Sequence, residues 1–550
     1  MRIRCAHQAV LGILLVCQFS VSLATETPDP NESSKYLNAV RTFFAADGGG
    51  YYVATGGNDA GPGTMERPLA TLERAIAMVK PGETVYVRGG KYQCDKTIML
   101  LESGEQGKPI RVWAYRDEEP IFNVKQGRGF TVRGAYWHLK GLIISDTRTA
   151  GLQLEGDGSH HNVIEQLQTH SNGDTGVNLT RGAAHNLVLN CDSYRNFDLP
   201  TNGENADGFG AKFGVGQGNT LIGCRAWNNA DDGFDCWYAG SSVGMENCYA
   251  YRNGQNIWEH PGFTGNANGF KLGQMEGAHI VIRCAAWEHP VRGFDLNGNS
   301  TGVTLYNCSA LRNRIDYAFT FTKGNIDKNT LRNNLSLGGG IRINPAVNEQ
   351  HNNWSTPLDI HVTEQDFLSL DDSVITGPRN PDGSIPKNDF LRLAPGSDAI
   401  DAGTDVGLPF VGKAPDLGAF EYDPNKTSEG YVKMLHRAVR DHNVKQIEQL
   451  LAQGEAVNDK DWLGYAPLHW ACYFGYPDLI ELLIGKGADH NLISDTGRTP
   501  LEIAEAMDYE SLTNILRKHG GTIGGNNRGL PLRSDSAEKH PFYRHPFEAT

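Results

Sequence analysis

One pattern recurs five times along the chain: Cys, any residue, a small residue, a large apolar residue, any residue, then Asn or His. The copies begin at Cys191 (CDSYRN), Cys224 (CRAWNN), Cys248 (CYAYRN), Cys284 (CAAWEH) and Cys308 (CSALRN), at intervals of 33, 24, 36 and 24 residues. Short β-type runs precede them, such as Leu187-Val188-Leu189, Leu221-Ile222 and Ile280-Val281-Ile282, and Gly-rich turn sequence follows. A unit of about 24 residues with short strands and no helix is one coil of a parallel β-helix, so the longer intervals are loops inserted at a corner. Matching positions then stack along the axis. Asn196, Asn229, Asn253 and Asn313 are expected to form an amide ladder, and the five cysteines a column of buried thiols instead of disulfides. Five copies in register argue against a β-sandwich carrying a chance motif.

Weaker turns extend the solenoid. Trp137 to Leu142 and Asn162 to Glu165 read as earlier coils, and Leu331 to Asn334 as a later one. The segment from Tyr51 to Val87 starts the helix, with Leu72 to Val79 as a capping helix that covers an otherwise unpaired end. The 65 glycines among 550 residues fit an architecture of many tight turns. At the N-terminus, Arg2 and Arg4 precede an apolar stretch from Ala9 to Leu23, then Ser22-Leu23-Ala24 as a cleavage site; this is expected to be a secretory signal and not an anchor. A formal net charge of −14 excludes a nucleic-acid binder by charge but allows an acidic enzyme whose site is neutralised locally by a metal.

A second repeat begins after Asp423. Leu435-His436, Leu468-His469 and Leu501-Glu502 are 33 residues apart, as are Gly454, Gly487 and Gly520. The middle copy, Gly464-Tyr-Ala-Pro-Leu-His-Trp-Ala-Cys472, resembles the ankyrin repeat and its T-P-L-H-x-A core. The expected architecture is mainly β: a right-handed parallel β-helix followed by a small all-α ankyrin-repeat domain. The expected boundaries are 1–24 signal peptide, 25–47 linker, 48–424 β-helix, 431–522 ankyrin-like repeats and 523–550 a disordered tail.

Chemistry enters with a motif after each ladder residue. Asp207-Gly-Phe-Gly210, Asp232-Gly-Phe-Asp235, Asn268-Gly-Phe-Lys271 and Arg292-Gly-Phe-Asp295 are its copies. Their last positions stack Gly210, Asp235, Lys271 and Asp295; their first stack Asp207, Asp232, Asn268 and Arg292. Asp207, Asp231, Asp232 and Asp235 then form one acidic patch with Lys271 at its edge. Stacked like charges require compensation, and an all-oxygen donor set points to calcium. The ordinary alternatives are a solvated acidic corner and, for Lys271, a structural ion pair. Asp232 and Asp235 differ by three, so they share a face only if Gly233 bends the chain. Lys212 and Arg292 are further basic candidates for binding uronates, although such residues are usually only solvated.

Gly203-Glu-Asn-Ala-Asp-Gly-Phe209, the block from Cys224 to Asp235 and Gly265-Asn-Ala-Asn-Gly-Phe-Lys271 resemble the pectate lyases of polysaccharide lyase family nine. The opening Tyr52-Val-Ala-Thr-Gly-Gly-Asn-Asp59 is similar to that family's cap. The resemblance covers residues 50 to 340, less clearly to 422. It implies a right-handed β-helix, calcium held by Asp207, Asp231, Asp232 and Asp235, Lys271 as base, and β-elimination on an acidic polysaccharide, pectate or a related uronate polymer. Phe234, where Trp is common, and the ankyrin-like C-terminus depart from the pattern. The expectation is a secreted (extracellular or periplasmic) calcium-dependent polysaccharide lyase. The alternatives are a polygalacturonase-like hydrolase on the same scaffold, or a non-enzymatic glycan-binding or scaffold protein. The ankyrin-like repeats are expected to be a protein-contact surface or a stacked extension.

Overall fold

The computed structural model describes residues 50–274, 276–320, 324–423 and 433–524. The expected signal peptide and linker, and all but the first two residues of the expected tail, lie outside them. From Tyr51 to Gln350 the chain winds through three sheets of 12, 10 and 10 strands, and every named strand pairing is parallel. One coil shows the plan. Phe209–Lys212 lies in the first sheet (10 strands), Asn219–Ile222 in the second (12 strands) and Arg225–Trp227 in the third (10 strands).

The repeat motif maps onto the corner between the second and third sheets. The residue before each cysteine turns through a left-handed conformation: Asn190 (φ 53°), Gly223 (64°), Asn247 (52°), Arg283 (52°) and Asn307 (52°). Asn and Gly tolerate that region best, which accounts for four of the five. The cysteine itself points inward; Cys191, Cys224, Cys248, Cys284 and Cys308 are fully buried free thiols. The small third residue faces the core in a column of Ser193, Ala226, Ala250, Ala286 and Ala310. The large fourth residue faces out, so Tyr194, Trp227, Tyr251 and Trp287 stack at centroid spacings of 4.3, 5.4 and 4.6 Å. Residues from Val362 to Leu417 pack over the end of that stack.

The sixth residue forms the expected ladder. Asn196 Nδ2 donates to Asn229 Oδ1 (2.8 Å) and Asn229 Nδ2 to Asn253 Oδ1 (2.9 Å). His289 continues it, 3.1 Å from Asn253 Nδ2 and 2.8 Å from Asn313 Oδ1. Imidazole can replace the amide because it also offers a donor and an acceptor. Phe209, Phe234, Phe270, Phe294 and Tyr317 fill the interior behind the first sheet, with rings 4.7–5.1 Å apart.

The capping helix is shorter than expected, Leu72–Ile76, begun by Thr71 whose side chain accepts from the Arg74 amide. Beyond Lys433, three helix pairs follow: Met434–Arg440 with Val444–Ala452, Pro467–Tyr473 with Pro477–Gly485, and Pro500–Ala506 with Glu510–Lys518. They rest on the outer face of the second sheet. No helix among the described residues is long and apolar enough to cross a membrane.

Candidate active site

The Gly-Phe motif lies where the chain turns from the third sheet into the first. Gly208 and Gly233 face inward: a Cβ on Gly233 would lie 2.6 Å from Gly269 O, 2.8 Å from Asn253 Nδ2 and 2.9 Å from Ala250 Cβ. The following Phe also faces inward, so the alternation skips one step. That skip places Asp232 and Asp235, the residues flanking the Gly-Phe pair, on the same outer side. The bend required of Gly233 is therefore present, and only a residue without a side chain fits it.

The register is as expected. Gly210 pairs with Asp235, Asp235 with Lys271 and Lys271 with Asp295, while Asn268 pairs with Arg292. Carboxylate oxygens of Asp207, Asp232 and Asp235 lie within 4.8 Å of one another, and all three residues are buried. Lys271 Nζ is 3.0 Å from Asp232 Oδ2 and 3.6 Å from Asp235 Oδ2, with 12 % of its side chain exposed. Asp232 Oδ1 accepts from the Asn268 amide (2.9 Å) and Asn268 Nδ2 (2.8 Å). Its Oδ2 is buried and faces the Lys271 ammonium as its ion partner.

Two expected residues sit differently. Asp231 is buried beside this trio but is not one of the three carboxylates that converge. Its Oδ1 accepts from the Asn266 amide (2.5 Å) and its Oδ2 lies 3.3 Å from Asn266 Nδ2. Arg292 lies outside the cluster and pairs with Asp295 Oδ2 at 3.1 Å. Lys212 proves more central than its sequence reading. It is buried, with Nζ 2.5 Å from Asp207 Oδ2 and 3.6 Å from Asp235 Oδ2. Its signal was strand parity: two residues after Gly210, it shares the outer face with the Asp235 column.

The electrostatics are those of an overcrowded acidic site. Burial and the neighbouring Asp235 and Asp232 raise the Asp207 carboxyl to about 7 although Lys212 pulls it down. Burial raises Asp235 too, against Lys271 and Lys212. Burial, with Asp232 and Asp207, pushes Asp231 well up. Burial disfavours the charge on Lys271, yet Asp232, Asp235, Asp231 and Asp207 outweigh it and hold the ammonium well above its ordinary value. Without further positive charge the cluster thus favours protonated carboxyls and a charged amine, the opposite of what a base requires.

The family described as Pel9A-like, right handed beta helix region matches residues 51–334. The chain belongs to that family. Pectate lyase L of Dickeya chrysanthemi is 38 % identical over 389 residues, 68 % of this chain and 90 % of that protein. Pectate lyase PEL9 of Emericella nidulans is 32 % identical over 396 residues, 64 % of this chain and 94 % of its own length. The crystal structure of pectate lyase Pel9A superimposes with a TM-score of 0.63 at 37 % identity, covering 68 % of this chain and 96 % of that one. This Pel9A-like chain is accordingly a pectate lyase with a parallel β-helix body. The helical segment matches ankyrin repeats, three copies, over residues 422–527.

Proposed function

We propose that this Pel9A-like protein is a secreted, calcium-dependent lyase that cleaves polygalacturonate by β-elimination. The observation that carries the reading is the convergence of Asp207, Asp232 and Asp235 within 4.8 Å, with the Lys271 amine 3.0 Å from Asp232 Oδ2. The donor set fits a hard cation: all oxygen, from several buried carboxylates whose crowded charge calls for compensation. Asp207, Asp232 and Asp235 would hold calcium, with Asp231 beside them completing the acidic surround. Bound there, calcium supplies charge neutralisation, a seat for the uronate carboxylate and Lewis acidity toward the C5 proton.

The protein's own groups do the rest. Added positive charge offsets the four carboxylates that keep Lys271 protonated, so its neutral form becomes accessible. Lys271 then removes the C5 proton. The electron pair left at C5 forms the C4–C5 double bond and expels the C4 glycosidic oxygen, which takes a proton from solvent. Lys212 keeps its proton, since Asp207 and Asp235 face it in a buried pocket. It lowers the net negative charge of the site without competing as base.

A hydrolase of the inverting or retaining kind uses two carboxylates roughly 5–9 Å apart, one acid and one base or nucleophile. Three carboxylates packed more tightly around an amine do not match that arrangement. The basic and apolar N-terminal stretch from Arg2 to Ala24 supports export. The test is turnover of polygalacturonate followed by ultraviolet absorbance of the unsaturated product, with and without chelator. Calcium-restored absorbance supports the reading. Reducing ends that accumulate without absorbance would refute it.

A further inference from the structure

The outer face of the second sheet is built to be covered. Outward-facing residues of its central strands run Val163 and Leu187 in one column and Leu189 and Ile222 in the next. All four are buried in one cluster with ankyrin-repeat side chains that include Leu435, Tyr473 and Leu501. The second of these columns carries a carboxylate at each end of its apolar stretch, since Glu165 pairs in register with Leu189 and Ile222 with Glu246. Both carboxylates are fully buried, which is expensive unless each meets an opposite charge.

The β-helix's own Lys140 and His138 lie 3.5 and 2.9 Å from the Glu165 oxygens, and the helical repeats supply a guanidinium to each carboxylate. Glu165 Oε1 lies 3.0 Å from Arg440 Nε, and Glu246 Oε1 lies 3.0 Å from Arg498 Nη2, both guanidiniums being buried as well. Tyr465 donates its hydroxyl to Glu246 Oε2, and Lys140 pairs with Asp441. At the far end the His161 and His185 rings bond the Met507 and Ala506 carbonyls at 2.6 and 3.1 Å. The contact reaches three coils of the active site. The coil with Asp207 presents Ile222, that with Asp235 presents Glu246, and that with Lys271 presents Arg283, which lies 4.0 Å from Asp495.

We propose that the ankyrin stack is an intramolecular clamp: the partner of this face is the chain's own β-helix, not a second protein. It fastens the second-sheet edge of the coils whose first-sheet edge carries the metal ligands and Lys271. Apolar complementarity and two buried, oppositely charged pairs at separated points fix one docking register, which a loosely tethered recruitment module would not need.

The test is hydrogen exchange on the full-length protein, comparing wild type with R498M and with E246Q/R498M. The clamp predicts that R498M speeds exchange in strand Val243–Glu246 and helix Pro500–Ala506 together, by roughly a hundredfold or more, because Glu246 is left buried without its opposite charge. The double variant recovers most of that protection. Unchanged strand exchange in R498M, or a double variant no better than R498M, overturns the proposal. Independently, residues 425–430 are replaced by a protease recognition sequence and the purified chain is cut there. Pieces that co-elute on size exclusion support the clamp, and two folded pieces that separate contradict it.

Discussion

In the proposed elimination Lys271 meets two opposed demands: it must sit against carboxylates to be positioned, and must shed its proton to act. Its 3.0 Å approach to Asp232 meets the first, and a cation held by the same carboxylates would meet the second. K271A is expected to lower turnover by roughly 10³-fold or more while calcium affinity, measured by titration calorimetry, persists. K271R should be equally inactive, since a guanidinium does not deprotonate. Asp207 gives the metal-free protein a specific pH signature. Its carboxyl is raised to about 7 in the folded state from 3.8, so the folded state binds the extra proton and stability is lost as pH rises through that window. In chelator, the stability of wild type relative to D207N should therefore fall between pH 4 and pH 7, read by thermal melts, and calcium should reverse the fall. Most of this site was legible because stacked repeats convert sequence spacing into spatial distance. Asp231 was grouped with the others by adjacency and by the family resemblance; it is buried beside them, and its Oδ1 accepts from the Asn266 amide.

At the level of single strands and turns, the repeat motif is a statement about which way each residue points. Its small third position is an inner column, its large fourth an outer stack, and its sixth an amide ladder. G233A tests the bend that joins two aspartates three residues apart. A methyl 2.6 Å from Gly269 O must displace one of two adjacent coils, so a loss of about 2 kcal/mol or more and weaker calcium binding are expected together. The segment over the third sheet is held by Asp192, buried between Arg225 and Arg379, each 2.7 Å away. Despite burial, the two guanidiniums lower the Asp192 carboxyl to about 2, from 3.8. The clasp thus contributes about 2 kcal/mol above pH 4, lost as pH falls from 4 toward 2; R379M should shrink that acid-labile part of the stability in a pH-dependent melt, the Arg225 pair retaining the rest. This clasp was not readable from sequence, because Asp192 and Arg379 are 187 residues apart and Asp192 fills the unrestricted second position of the repeat motif.

For the molecule as a whole, the repeats at the two ends solve one problem in two ways. A solenoid needs its ends capped and, where a sheet is apolar outside as well as inside, its flank covered. The runs Leu187-Val188-Leu189 and Ile280-Val281-Ile282 signal that second need: continuous apolar triplets, unlike alternating ones, belong to strands buried on both faces. The triplets were legible as strands, but the cover was not, since Glu165 and Arg440 lie 275 residues apart. The architecture of a β-helix followed by three ankyrin repeats was readable from periods of about 24 and 33 residues, because each period is a structural unit. The helical cover lies on the second sheet and the acidic cluster on the first, so the proposed clamp and the proposed site occupy different faces of the same coils. The central claim is that the Asp–Lys register is a metal-assisted elimination site. Its most direct test is the ultraviolet absorbance of polygalacturonate products from wild type and K271A, each assayed in chelator and again after calcium is restored. The account predicts unsaturated product from calcium-restored wild type alone; product that forms equally in chelator, or in K271A, would contradict it.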